Sequence, residues 1–150
     1  MQVFSDALDR SSWLALLSRA SLEMLEQHLT TCANTSFEWL RQPETGLMMV
    51  RARVGGTGAQ FNFGEMTITR CALRLASGIT GVGYIAGRSH RKVTLVALAD
   101  GLLQTDRAHE LQESVLKPIS AALSAQVEEH SRSTQSTRVD FFTIAREGGM

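Results

Sequence analysis

The sequence predicts an α+β domain, an antiparallel sheet of about four strands with N-terminal and C-terminal helices packed on it. Three observations carry that expectation. Apolar residues recur at helical spacing before residue 30 and again after residue 93. Between residues 37 and 86 the pattern changes to strand-like runs rich in β-branched and apolar residues. The breaks between those runs are too short for parallel crossovers, which take a dozen or more residues, so neighbouring strands pair antiparallel.

Ser11 and Ser12 stand where they can cap a first helix, whose apolar face is Trp13, Leu16, Leu17 and Ala20. Ser21 offers a second cap, followed by Leu22, Leu25 and Leu29 at helical spacing. Helices this short are marginal alone, so both are expected to lie over another layer. Four strands follow, at Phe37–Arg41, Leu47–Val54, Met66–Leu75 and Ile79–Ala86, with breaks at Pro43–Gly46 and Ser77-Gly78. Gly55-Gly56-Thr57-Gly58-Ala59-Gln60 reads as a flexible connection ending in Phe61 and Phe63.

From Val93, the residues Leu95, Leu98, Ala99 and Leu102 set a helix against the sheet. Gly101 weakens it by about 1 kcal/mol relative to alanine. Leu111, Val115, Ile119, Leu123 and Val127 continue a similar stripe, which Pro118 interrupts, predicting a kink or two short helices. The polar stretch 130–137 is expected to be an exposed linker to a strand-like end, Arg138–Ile144. No internal repeat is visible, and residues 1–150 are read as one domain long enough to bury a core.

Composition narrows the function classes. A chain with 43% hydrophobic and 20% charged residues has the balance of a soluble globular protein. Fifteen basic and fifteen acidic residues cancel, so no overall field draws the molecule onto nucleic acid or anionic lipid, and neither is expected as a partner. No apolar run approaches the roughly 20 residues of a membrane span. The N-terminal segment, with Asp6 and Asp9, lacks the basic-then-apolar layout of a signal peptide. Cys32 and Cys71 cannot build a disulfide framework by themselves, and reduced thiols in the cytoplasm are the expectation.

The candidate site is a face. Met49, Arg51 and Arg53 alternate with Val50, Ala52 and Val54, while Ile68, Arg70 and Arg74 alternate with Cys71, Leu73 and Leu75. Strand geometry places each set on one side of its strand. If the strands pair with both sets on the same side, Arg51, Arg53, Arg70 and Arg74 share a surface with Met49 and Ile68. Guanidinium forks suit phosphate or carboxylate, and a mixed arginine and apolar face also has the composition of a protein–protein interface. An ordinary solvated outer face would have the same spacing. Glu44 and Glu65 lie near the strand ends, where they can neutralise these arginines.

Other features are weaker. Gly55, Gly56, Thr57 and Gly58 make a glycine-rich loop, but without the lysine and following helix of a phosphate-cradling loop it reads as a strand connection. Gly81 and Gly83 share a strand face where another backbone can approach closely. Gly87-Arg88 precedes a helix, a place for an anion or for a plain turn. His28 and Cys32 lack third and fourth ligands, and His90, His109 and His130 form no ligand spacing, so no metal site is expected. No nucleophile elbow or reactive-cysteine signature is present, and no catalytic residue is assigned.

The order of these residues carries a resemblance. Arg41-Gln42-Pro43-Glu44-Thr45-Gly46-Leu47 leads into Arg51-Ala52-Arg53-Val54-Gly55-Gly56-Thr57-Gly58, then Phe61, Gly64-Glu65 and Thr67-Ile68-Thr69-Arg70-Cys71. Arg74-Leu75, Gly81, Tyr84, Gly87-Arg88, Asp100, Leu102 and Arg138-Val139-Asp140-Phe141-Phe142-Thr143 complete it. From Trp13 onward this pattern resembles the PhnG family, the G subunit of the carbon–phosphorus lyase core complex. Arg91-Lys92-Val93 and Gly101 depart from it, standing where the family has more helix-favouring residues.

The resemblance implies a subunit of a cytoplasmic assembly with H, I and J subunits, chiefly serving the I subunit. That assembly replaces the adenine of ATP with methylphosphonate, giving alpha-D-ribose 1-methylphosphonate 5-triphosphate, a transferase reaction. It implies no activity for this chain alone and no cofactor of its own, since ATP and the phosphonate are substrates of the complex. Arg51, Arg53, Arg70 and Arg74 would then meet the anionic ligand or acidic groups of the I subunit. Arg138, Phe141 and Phe142 are expected to dock a C-terminal segment on a neighbouring subunit, or else to form an intramolecular edge strand. The residues alone leave open an independent anion- or nucleic-acid-binding domain that uses the arginine face.

Overall fold

The computed structural model describes residues 9–136. Helix α1 (Arg10–Arg19) begins at Asp9, whose carboxylate accepts the backbone N–H of Ser12 at 3.0 Å. Asp9, rather than Ser11 or Ser12, is therefore the cap, and Ser11 donates its hydroxyl to it at 2.8 Å. A carboxylate meets the positive end of the helix dipole as well as the free N–H groups. Helix α2 (Leu22–His28) starts at Ser21 as expected, the hydroxyl accepting the Met24 N–H at 3.2 Å. A 3-10 turn at Thr30–Cys32 then leads to the sheet.

The sheet has three strands rather than four: β1 (Phe37–Arg53), β2 (Gln60–Leu75) and β3 (Thr80–Ala86), antiparallel in the order β1-β2-β3. The expected first two strands are one. Pro43 does not break it because β1 is an edge strand, where a missing N–H need not deprive a neighbour. Register shifts between Trp39 and Arg41 and between Arg41 and Glu44 absorb the irregularity. β2 begins six residues before Met66, so Phe61 and Phe63 belong to a strand and not to a flexible connection.

One face of the sheet is covered. Cys71, Leu73 and Leu75 of β2 and Ile85 of β3 are buried beneath α3 (His90–Leu102), which Ser89 caps. Gly81 and Gly83 let the two backbones meet. A Cβ on Gly83 would collide with the Val93 carbonyl oxygen and lie 2.9 Å from Val93 Cγ2, while one on Gly81 would collide with the Ala97 carbonyl. Gly101 has a matching role, for its Cβ would sit 3.2 Å from Leu75 Cδ1. Close packing thus offsets what glycine costs inside the helix.

α1 and α2 close the far side of α3, burying Trp13, Leu17 and Leu25. Asp100 of α3 has no solvent exposure. It accepts hydrogen bonds from Arg10 Nε and Nη2 at 3.1 and 2.7 Å, from Trp13 Nε1 at 2.9 Å and from the Val82 N–H at 2.8 Å. One carboxylate therefore ties α1, α3 and β3 together.

The chain ends its described part with α4 (Ala108–Leu111), a π turn at Gln112–Leu116, and α5 (Lys117–Ser136). The expected interruption near Pro118 takes this form: the helix widens into a π turn just before the proline and continues through it. Residues 130–136, expected as a linker, are instead the last turns of α5. The strand-like end from Arg138 lies outside the described residues. Among the described residues no helix is long and apolar enough to cross a membrane.

Candidate functional site

Helices cover only one face of the sheet, and the β1–β2 hairpin outruns them. β3 pairs with β2 from Ile68 to Arg74, so beyond Ile68 the hairpin continues as a two-stranded arm. No residue from Leu47 to Glu65 is buried. Val54–Gly56 form a 3-10 turn at its tip, with Gly55 and Gly56 at φ of 59° and 83°. The Gly58 N–H closes the turn on the Val54 carbonyl at 2.8 Å, and Arg53 Nη1 donates to the Gly58 carbonyl at 3.3 Å. Gly55, Gly56, Thr57 and Gly58 are accordingly a hairpin tip whose glycines serve its backbone shape.

Register decides which side chains share a face. Directly opposed residues of antiparallel strands point the same way. Glu44 faces Arg70, Gly46 faces Ile68 and Met48 faces Met66, all on the uncovered side with Tyr84, whose hydroxyl donates to Met48 Sδ at 3.1 Å. Thr45, Leu47 and Met49 alternate onto the other side. Between Val50 and Arg51 the register shifts, because Val50 opposes Gly64 while Arg51 opposes Asn62. β2 therefore carries one extra residue there, a bulge that leaves the alternation of β1 intact.

The register separates the four arginines, because Glu44 opposes Arg70 and Arg51 lies an odd number of residues further along β1. Along β1, Arg51 and Arg53 fall on the side of Met49 and Thr45, whereas Arg70 and Arg74 occupy the opposite, uncovered face. Their nearest members, Arg51 and Arg70, are also about 25 Å apart along the strands, at roughly 3.3 Å per residue. The single surface of four guanidinium groups expected from spacing does not form. Moreover, Arg70 Nε donates to Glu44 at 2.7 Å, Arg41 donates to the same carboxylate at 2.7 Å, and Arg74 is paired with Glu38 at 3.2 Å. The Arg70 bond, with that of Arg41 behind it, holds the Glu44 carboxyl below its ordinary value. Of the four arginines Glu44 thus neutralises Arg70 alone, while Glu65, opposite Met49, makes no ion pair among the described residues.

What the bulge assembles instead is an apolar face. Phe61 opposes Ala52, and its ring meets that of Phe63 edge-on at 6.4 Å. Val50 and Ala52 are half-buried, while Met49, Arg51 and Arg53 are exposed. Met48 and Phe61, with Phe63 in ring contact, thus lie on the uncovered side of the arm beside Tyr84 of β3, while Arg51 and Arg53 share the other side with the exposed Leu47 and Met49. The alternation of Gln60, Phe61, Asn62 and Phe63 signalled this strand in the sequence, but the neighbouring glycines masked it.

The base of the arm is pinned by polar contacts. Thr69 donates to the Gly87 carbonyl at 2.7 Å, so its oxygen accepts from the Thr45 hydroxyl at 3.0 Å. Thr45 in turn accepts from His90 Nε2 at 3.1 Å, which puts a proton on that nitrogen. Gly87-Arg88 is the turn into α3, where Gly87 adopts φ of 93°. Neither cysteine is placed as a nucleophile: both are buried, and burial pushes the Cys71 thiol up to about 11. Among the described residues no three His, Cys, Asp or Glu side chains gather to hold a metal ion. Arg138, Phe141 and Phe142 lie outside the described residues.

The chain matches known proteins along most of its length. The family described as "Phosphonate metabolism protein PhnG" matches residues 8–147. The alpha-D-ribose 1-methylphosphonate 5-triphosphate synthase subunit PhnG of Rhizobium meliloti (strain 1021) is 39% identical to it over 107 residues. That stretch is 71% of this chain and 69% of the relative.

Proposed function

The chain belongs to the PhnG family of phosphonate metabolism proteins, and on that premise we propose that it is an accessory subunit of an alpha-D-ribose 1-methylphosphonate 5-triphosphate synthase. In this reading it supports the I subunit, within an assembly that also holds H and J subunits, in replacing the adenine of ATP with methylphosphonate. The observation that carries the reading is the family match across residues 8–147. ATP and the phosphonate are substrates of the assembly, this chain binds no cofactor of its own, and the reaction takes place in the cytoplasm. Two buried free thiols suit that reducing compartment.

The chemistry explains why such a subunit need not carry catalytic groups. A phosphonate dianion must be held in line with the anomeric carbon while adenine departs, and a triphosphate must be anchored. Those tasks need preorganised cations and a shaped, water-poor cavity, which several chains can build together. An independent nucleic-acid- or anion-binding domain loses its basis here, because Arg70 and Arg74 are already paired and Arg51 and Arg53 lie on the opposite side.

The test is adenine release from ATP and methylphosphonate, measured for this chain alone, for the remaining subunits without it, and for the full set. The reading expects turnover from the full set, a loss of at least tenfold on omitting this chain, and none from the chain alone. Robust turnover by the isolated chain, or full turnover in its absence, would contradict it.

A further inference from the structure

The arm poses a physical problem that its own fold does not solve. Two-stranded ribbons are marginal in water, yet this one exposes Phe63 at 73%, Phe61 at 43% and Met48 at 39%, with Tyr84 of β3 at 46% beside Met48. At roughly 200 Å² for a whole aromatic side chain, they present on the order of 400 Å² of largely apolar surface. A stable heteromeric interface takes about 800 Å² from each partner, a little over half of it non-polar. The patch supplies that share.

Charge says what kind of surface covers it. On the uncovered sheet face the charges nearest the patch are already matched, Glu44 with Arg41 and Arg70, and Glu38 with Arg74. The wall that meets Phe61 and Phe63 must therefore be apolar and uncharged. On the opposite side Arg51 has no ion pair among the described residues, and Arg53 reaches only a carbonyl at the tip. Once water is excluded these two cations require carboxylates. A second copy of this chain cannot supply them from its own arm, where Glu65 is the one carboxylate without an ion pair among the described residues. A membrane surface would meet only one side of the arm, leaving either Phe61 or the Arg51 and Arg53 side uncovered.

We propose that the arm enters a cleft of another synthase subunit, whose apolar wall packs against Met48, Phe61, Phe63 and Tyr84 and whose carboxylates meet Arg51 and Arg53. This rests on the accessory-subunit reading and specifies the surface through which it acts. The bulge in β2 is what puts Phe61 opposite Ala52, on the side away from Arg51 and Arg53.

The experiment co-expresses the full chain with the other subunits and measures association by co-purification and titration. It compares wild type with F61S/F63S, with R51E/R53E, and with V127S, an exposed apolar residue of α5 far from the arm. Both arm variants should keep the circular dichroism of the wild type, because none of their residues is buried. Each should weaken assembly at least 100-fold, while V127S changes it less than threefold. Wild-type affinity in F61S/F63S would overturn the proposal while leaving the accessory role intact. So would a dimer of the free chain that F61S/F63S dissociates without affecting the complex. Loss of binding in R51E/R53E that is reproduced by removing ATP would assign the arginines to the triphosphate and overturn the carboxylate wall. A wild-type chain that ignores the other subunits would remove the functional reading itself.

Discussion

Asp100 is the residue on which the packing of unlike elements converges. Its carboxylate answers donors on α1 and β3 as well as the indole of Trp13, and every one of those bonds is long-range in sequence. Asp100→Ala would leave the buried indole N–H and the part-buried Val82 N–H without acceptors, at a cost of about 3 kcal/mol. Arg10 is half-exposed and can turn to water, which keeps the loss from being larger. The expected outcome is a melting temperature lower by about 10 °C in a thermal scan. A shift under 2 °C would show that the network contributes little. In the sequence Asp100 was visible only as part of a family pattern, because a buried acid amid Leu98, Ala99 and Leu102 gives no local sign of its partners.

At the scale of elements, the meeting of β3 with α3 depends on glycine more than on any large side chain. Gly83→Ala would drive a methyl group into the Val93 carbonyl, and backbone on both sides has to move. Overpacking of this kind costs about 3 kcal/mol, so chemical denaturation should show the midpoint falling with the slope unchanged. Gly46→Ala is the control: a Cβ there meets nothing within 4 Å, so it should change stability by less than about 0.5 kcal/mol. An equal loss in both variants would contradict the close-approach argument. The spacing of Gly81 and Gly83 made this contact legible beforehand, as the Ser21 cap and the α3 stripe did their helices. Pro43 misled for a related reason, being a breaker by local preference that an edge strand tolerates. Whether Arg51 shares a face with Arg70 depends on which β1 residue opposes Arg70, and that register is not a property of either strand alone.

At the scale of the whole molecule, one sheet face is closed by helices and the other ends in an uncovered arm. The net charge is zero and the paired arginines are spent internally, so what this protein offers is shape and apolar area more than field. That suits a subunit of a larger synthase better than a free-standing binder. The most direct measurement is amide hydrogen exchange over residues 47–66, in the free chain and in the assembled complex. The account predicts rapid exchange of the distal arm in the free protein and at least tenfold slowing on assembly, centred on Phe61 and Phe63. An arm that exchanges equally fast in both states, with new protection appearing only on the helical layer, would contradict it.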